Sequence, residues 1–355
     1  MTGNESFLPP GTVFNLPEVI TRLPEACHGD CAQLDHTSDA LARQYLVDYF
    51  GDEERADRYL RQRISHFACI CYPYSSSERA QSLTNLMIPV TIFDDTFSRP
   101  DTQEDLAAAT ALHDDWCAVF KGHRPPPHGN SAFLLVYNAI EAAAARMSEH
   151  LAARVRQAWS DMAASHLDEA VLRNNNIALS YEQYMEKRLT NVYGWWLTTH
   201  VEYAKGIDLG ELSNHPEIMA VRRAAINHVT LVNDLYSFPK ELDAKEAMMN
   251  AILVLMRREN LNLQQSIDKV VDNIHQAELD FISARDNILQ GQQGQLSDIG
   301  AYLDGVGYVM TGNLRWSQMS TRYFGDDHDG ARITSGPITI TPKPTVHAPA
   351  PRAEV

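Results

Sequence analysis

Apolar residues recur at helical spacing through most of this chain, and that pattern leaves room for little but an all-α fold. The spacing predicts helices within Asp39 to Tyr49, Ala80 to Phe93, Ala107 to Phe120, Ser131 to Val155, Tyr181 to Tyr203, Pro216 to Leu235 and Leu263 to Ile288. Strand-like alternation is almost absent before residue 330. The breaks HRPPPHGNS (123–131), GIDLGELSNHP (206–216) and QGQQGQ (290–295) read as short loops between helices. Hydrophobic residues are 44% of the 355, enough for a large core. The expected organisation is an irregular segment over 1–35, broken by Pro9, Pro10, Pro17 and Pro24, and one helical domain over 36–325. A tail over 326–355, rich in Pro, Thr and Ala, buries too little apolar surface to fold alone and is expected to be disordered.

Charge narrows the function. With 46 acidic against 30 basic residues the net charge is −16, which repels phosphate backbones and argues against nucleic-acid binding. A phosphorylated substrate must then be held by local cations, either metal ions or a few placed Arg and Lys. No stretch approaches 18 uninterrupted apolar residues, so no membrane-spanning helix is expected. The N-terminal MTGNESFLPPGTVFNLP lacks a basic region followed by an apolar run. Five cysteines without such a signal fit a reducing cytoplasm. Cys27 and Cys31 with His28 resemble half of a zinc site, but no second half with zinc spacing follows, so free thiols are expected.

The segment Asn233 to Glu241, NDLYSFPKE, carries the sharpest chemical signal. Asn233, Ser237 and Glu241 sit at i, i+4 and i+8, on one helix face. They offer an amide carbonyl, a hydroxyl and a carboxylate, hard oxygen donors suited to Mg²⁺. Lys240 lies beside them for a shared phosphate, although Pro239 is expected to kink the helix there. A second cluster is IFDDTFSRPD, residues 92–101, where Asp94 and Asp95 close an apolar helix. Alone, such a pair reads as a solvated helix end; beside the first cluster it points to a shared polymetal site.

These pieces, with Tyr72-Pro73, YMEKRLTN around Arg188, and GNLRWSQMSTRY ending in Arg322-Tyr323, come in the order found in the bacterial class I terpene synthases. The chain resembles that family over residues 60–325. The resemblance implies a single-domain antiparallel helical bundle around an apolar cavity, with three Mg²⁺ at its mouth binding the diphosphate of a linear isoprenoid. It implies metal ligation by Asp94, with Asp95 in support, and by Asn233, Ser237 and Glu241. It makes Arg188 the diphosphate sensor and Lys240, Arg322 and Tyr323 donors to the diphosphate. It also implies a helix break at Asn191 and Val192 that helps trigger ionisation. One departure is plain. The family's third acidic residue falls at Ser98 or Arg99, and the next carboxylate is Asp101, after Pro100.

By position, Phe67, Met87, Val90, Thr91, Trp195 and Trp316 are the expected pocket walls. Of Trp195 and Trp196 only one can face inward, because helix neighbours diverge. The modest side chains at Val90 and Thr91 hint at a roomy cavity. Asp114-Asp115 and Asp326-Asp327 read as solvated surface, and His66 and His200 as core or surface residues rather than ligands. The expected reaction is Mg²⁺-dependent cyclisation of an acyclic prenyl diphosphate to a sesquiterpene or diterpene, with farnesyl diphosphate ahead of geranylgeranyl diphosphate. Chain-elongating prenyl transfer and non-catalytic binding of prenyl diphosphates are the alternatives, and a homodimer is left open.

Overall fold

The protein was studied as a computed structural model, which describes residues 8–340 apart from 10, 127–129, 176, 244–248, 292–293 and 295–296. A short strand β1 (Val13–Leu16) precedes the helices α1 (Cys31–Phe50), α2 (Glu53–Leu60), α3 (His66–Cys71) and α4 (Ser77–Phe97). There follow α5 (Pro100–Glu104), α6 (Leu106–Phe120), α7 (Ser131–Ala144), α8 (Glu149–Asn174), α9 (Tyr181–Asn191) and α10 (Gly194–Lys205). A 3-10 turn (Gly210–Asn214) leads into α11 (Pro216–Asp243), α12 (Ala251–Arg258), α13 (Leu263–Gln290), α14 (Ser297–Ser317) and α15 (Thr321–Phe324), and a strand β2 (Gly336–Thr339) ends the order. Helix α11 packs against α13 and α14, α14 against α3 and α10, and α6 against α8.

Local chemistry sets the helix ends. The Ser180 hydroxyl and the Gln183 side chain form a capping box at the start of α9, and Asn262 with Gln265 does the same for α13. Gly206 ends α10 in the left-handed region, at φ 72. Two expected helices are each divided. Ser131 to Val155 splits into α7 and α8 because Ser148 caps α8 by accepting from Leu151 N at 3.1 Å. Its signal is hidden after the uniform EAAAA run. Tyr181 to Tyr203 splits at Val192-Tyr193, where the family resemblance implies a break and periodicity alone does not.

The expected tail needs correction. Residues 336–339 pair antiparallel with β1, Val13 opposite Thr339 and Leu16 opposite Gly336. Phe14, Leu16 and Ile340 are buried, and the Phe14 ring meets Phe238 of α11 edge-on at 6.3 Å. Neither strand has a core of its own. Each is paired with the other, and β1 also meets α11 through Phe14 and α13 through Asn15 and Gln264. The period-two alternation ITI at 338–340 was the available signal. Residues 341–355 lie outside the described residues.

Two features of the core are open to test. Gly312 of α14 faces α3 so closely that a Cβ would lie 2.7 Å from Cys71 Sγ and 2.8 Å from two backbone atoms. Backbone cannot yield cheaply, so Gly312→Ala should destabilise by about 1–3 kcal/mol in urea unfolding, despite the better helix propensity of alanine. Gly300→Ala, whose Cβ would meet only Leu289 Cδ2 at 3.9 Å, should instead be neutral or stabilising by up to about 1 kcal/mol.

His200 and His228 are buried, and burial lowers them to about 4 and about 3. Both are neutral in the fold and charge on unfolding, so stability present above pH 6.5 is lost as pH falls below it. At pH 5 each should have lost about 2 kcal/mol relative to pH 7. Denaturant curves at the two pH values should show His228→Leu losing about that much less than the wild type.

Candidate active site

The site is assembled at the end of the bundle where α4, α8, α9, α11 and α15 converge. From α11, Asn233, Ser237 and Glu241 all face one cavity of about 160 Å³, because their spacing keeps them on one side of the helix. Helix α11 runs on through Pro239 to Asp243, so Lys240 also lines the cavity. The opposite wall is the last turn of α4, with Asp94 and Ser98, and α8 contributes His166 and Glu169. Arg188 and Asn191 come from the end of α9, and Arg322 and Tyr323 from α15.

Arg188 is buried, with both terminal nitrogens bonded and its Nε without a hydrogen-bond partner. Its guanidinium donates to Asp234 at 2.8 Å, to Asn233 Oδ1 at 2.8 Å and to Asn191 Oδ1. The Asp234 carboxylate also accepts from the Tyr184 hydroxyl and from Ala251 N at 3.0 Å. Breaking such a buried pair leaves an uncompensated charge worth about 3–5 kcal/mol, so substitutions of Arg188 report on folding as much as on binding.

Helix α9 ends at Asn191, and Tyr193 then takes the left-handed conformation at φ 62, unusual for an aromatic residue. This turn delivers the Tyr193 hydroxyl to Asp94, donating at 2.6 Å, while His166 Nε2 lies 2.9 Å from the same hydroxyl. Asp95 points elsewhere. Its oxygens accept from Arg322 at 2.6 Å and from the Tyr59 hydroxyl at 2.8 Å, and it does not line the cavity. Burial works to raise the Asp95 carboxyl, but the Arg322 and Lys240 charges and the hydrogen bonds hold it below the usual carboxylate range. The Asn233 side-chain N–H donates to the Tyr323 hydroxyl at 2.7 Å. The pair Arg322-Tyr323 thus spans both clusters, one residue on each.

Two observations suit a small divalent cation. The Ser237 hydroxyl oxygen is buried with no hydrogen-bond partner. Glu241 is pushed up to about 7 by burial and by the neighbouring Asp234, against the pull of Arg188, and its Oε2 is contacted by Asn250 Nδ2 at 2.9 Å. An oxygen without a partner and a carboxylate short of positive charge, side by side with Asn233 and facing Asp94, form an oxygen donor set of the kind hard cations take.

The remaining expected residues lie elsewhere. Asp101 is drawn into an ion pair with Arg99, whose Nε donates to it at 3.1 Å, and it does not line the cavity. None of Phe67, Met87, Val90, Thr91, Trp195 and Trp316 lines this polar cavity either. Phe67 and Trp316 meet edge-on at 5.7 Å, and Trp316 meets Tyr323 at 5.4 Å, just behind the site. Met87 and Val90 are buried in α4, and Thr91 donates to Met87 O. Trp195 and Trp196 diverge, as helix neighbours must. The Trp195 ring lies under the Arg222 guanidinium at 5.0 Å, and Trp196 is the one packed inside, edge-on to Trp159. Tyr59, His166, Glu169, Tyr184, Tyr193 and Asn250 belong to the site and went unnoticed in the sequence, since lone polar residues on otherwise ordinary helices carry no local signature.

A family model described as terpene synthase family 2, C-terminal metal binding, matches residues 85–280. The chain is 26% identical over 322 residues to an (E)-2-epi-beta-caryophyllene synthase of Selaginella moellendorffii, covering 89% of this chain and 86% of that one. A Coprinopsis cinerea protein named linoleate 10R-lipoxygenase COP4 is 31% identical over 181 residues, so this chain spans about half of that protein, with 50% of this chain and 52% of that one covered. Among solved structures, a linalool/nerolidol synthase from Streptomyces clavuligerus superposes with a TM-score of 0.69 at 19% identity, over 83% of this chain and 98% of that one. The fold is therefore the all-α fold of class I terpene synthases. With a metal-binding family model matched over more than half of its length, this chain belongs to the terpene synthase family.

Proposed function

We propose that the protein is a Mg²⁺-dependent class I terpene cyclase that ionises an acyclic prenyl diphosphate, with farnesyl diphosphate favoured and geranylgeranyl diphosphate second. The observation that carries this reading is the meeting of Asn233, Ser237 and Glu241 with Asp94, Arg188, Arg322 and Tyr323 around one cavity. In it, Asp94 on one side and Asn233, Ser237 and Glu241 on the other would hold the three Mg²⁺ ions that the family resemblance implies. When bound, the metal supplies positive charge that stabilises the departing diphosphate. Arg188, Lys240, Arg322 and Tyr323 donate hydrogen bonds to the same group, placing fixed positive charge where negative charge develops. Asp95 acts through Arg322, aiming its guanidinium. The helix break after Asn191 leaves Asn191 and Val192 on the cavity wall, and in this reading they assist ionisation. Closing the cavity excludes water that would quench a carbocation, and the Trp316–Phe67 pair behind Tyr323 offers aromatic surface to a cation.

The seating of Asp101 against Arg99 favours metal binding without a third carboxylate on α4. A chain-elongating prenyltransferase needs two aspartate-rich segments, and this chain has one acidic pair plus the Asn233 segment. Incubation of purified protein with Mg²⁺ and the common prenyl diphosphates, with and without isopentenyl diphosphate, separates the readings. Cyclic hydrocarbon or terpene alcohol is expected from a single substrate. A lengthened prenyl chain, or tight binding with zero turnover, would overturn the proposal.

Asn233→Ala or Glu241→Ala should lower turnover by roughly 10²–10³ or more, whereas Asp101→Asn, part of a half-exposed ion pair, should stay within about fivefold. Tyr193→Phe removes the hydrogen bond that orients Asp94. It should raise the Mg²⁺ concentration needed for half-maximal rate by about 10–100-fold, with most of kcat recovered at saturating metal.

A further inference from the structure

Away from the active site, the start of α1 and the whole of α3 bring five ligand-type side chains together. Cys27, on the segment before α1, and Cys31, the first residue of α1, stand four apart. His66 and Cys69 stand three apart on α3, on the same face of that helix. The Cys27, Cys31 and His66 donor atoms lie within 4.8 Å of one another, and so do those of Cys31, Asp35 and Cys69. Cys31 belongs to both groups and joins them. Its sulfur is 3.0 Å from His66 Nδ1, which is itself 3.1 Å from Asp35 Oδ2. The loop is tied down at this point, since His28 N donates to Cys69 O at 2.9 Å.

An apolar packing role explains this cluster poorly. A buried thiol packs as a small hydrophobe, yet here three thiols share one space with an imidazole and a carboxylate. Arg63 contacts both Asp35 and His66 and has an unusual left-handed backbone, φ 53. The His66 ring is held through Nδ1 by Cys31, Asp35 and Arg63, while its Nε2 is buried with no hydrogen-bond partner. The pattern C-x3-C on one element with H-x2-C on another supplies two half-sites, and soft thiolates with one imidazole are the donors that select Zn²⁺ over Mg²⁺. His28 is not part of it. Its Nε2 lies 3.0 Å from Ser75 O and its Nδ1 accepts from Asp30 N at 3.1 Å.

We propose that Cys27, Cys31, His66 and Cys69 bind one structural Zn²⁺, with Asp35 orienting the donors from outside. Binding releases the three thiol protons to solvent and leaves the ion with three thiolates and a neutral imidazole. The single negative charge that remains faces Arg63. Cys27 is exposed, on the segment before α1. The ion then pins the segment before α1 to α3, and through the Gly312 contact to α14.

Full-length protein purified without chelator should carry one zinc per chain by elemental analysis. Exchange for Co²⁺ should give a thiolate-to-metal charge-transfer band, which the oxygen donors of the active site cannot produce. A zinc chelator added with Mg²⁺ in excess should lower the melting temperature, and Zn²⁺ should restore it. Cys27→Ser, at an exposed position, should keep the far-ultraviolet circular dichroism while weakening zinc by about tenfold or more, and Asp35→Asn should weaken it by about 10–100-fold. Zinc-free wild type that neither takes up the ion nor gains stability from it overturns the proposal. So does zinc retained at wild-type affinity by both Cys27→Ser and Cys31→Ser, or a Co²⁺ spectrum without sulfur ligation.

Discussion

The buried ion pair between Arg188 and Asp234 fixes where every other group in the active site can be. It joins the end of α9 to the middle of α11, and Tyr184 and the first residue of α12 close around the same carboxylate. With α9 held there, the chain has to turn before it can continue as α10. The turn falls on Tyr193, whose strained backbone is the means by which its hydroxyl reaches Asp94. The pair thus positions groups on both sides of the cavity. Strain of this kind costs about 1–3 kcal/mol, and the surrounding bonds over-determine it.

Around that pair, each carboxylate has its own nearest hydrogen-bond donor, while Arg322 lies within 3.8 Å of Asp94 as well as bonding Asp95. Asp94 is given a neutral hydroxyl, Asp95 a guanidinium, Asp234 another guanidinium, and Glu241 an amide. Glu241 is left with its proton affinity raised toward neutrality, and burial raises that of Asp234 as well. The positive charge is thus distributed unevenly, and the deficit lies beside the unpartnered Ser237 hydroxyl. Arg322 and Tyr323 couple the two walls, so the short α15 registers the state of both at once.

How much of this was legible in the sequence depended on whether the signal was local. The face shared by Asn233, Ser237 and Glu241 was readable because one helix carries all three, and their convergence on one cavity follows from its period. The helix split at Ser148 was missed because the cap is a single residue within an alanine-rich run. Tyr59, His166 and Tyr193 had no local signature, since each matters only through a partner 27 to 99 positions away. Trp195 and Trp196 show the limit of positional inference: neighbours diverge, but which one turns inward was decided by Arg222 on another helix. The cysteines show the same limit. Cys27 and Cys31 read as free thiols, and the nearness of His66 and Cys69 was out of sight because they lie on a separate helix.

The ribbon formed by β1 and β2 makes the two ends of the described chain a single mechanical part. Phe14 lies against Phe238, which is the residue between Ser237 and Pro239 in the segment facing the cavity. Trimming the chain after Gly325 would strip β1 of its partner, and β1 is what seats Phe14 against Phe238. The pairing of the two strands is thus linked to α11 one residue away from Ser237.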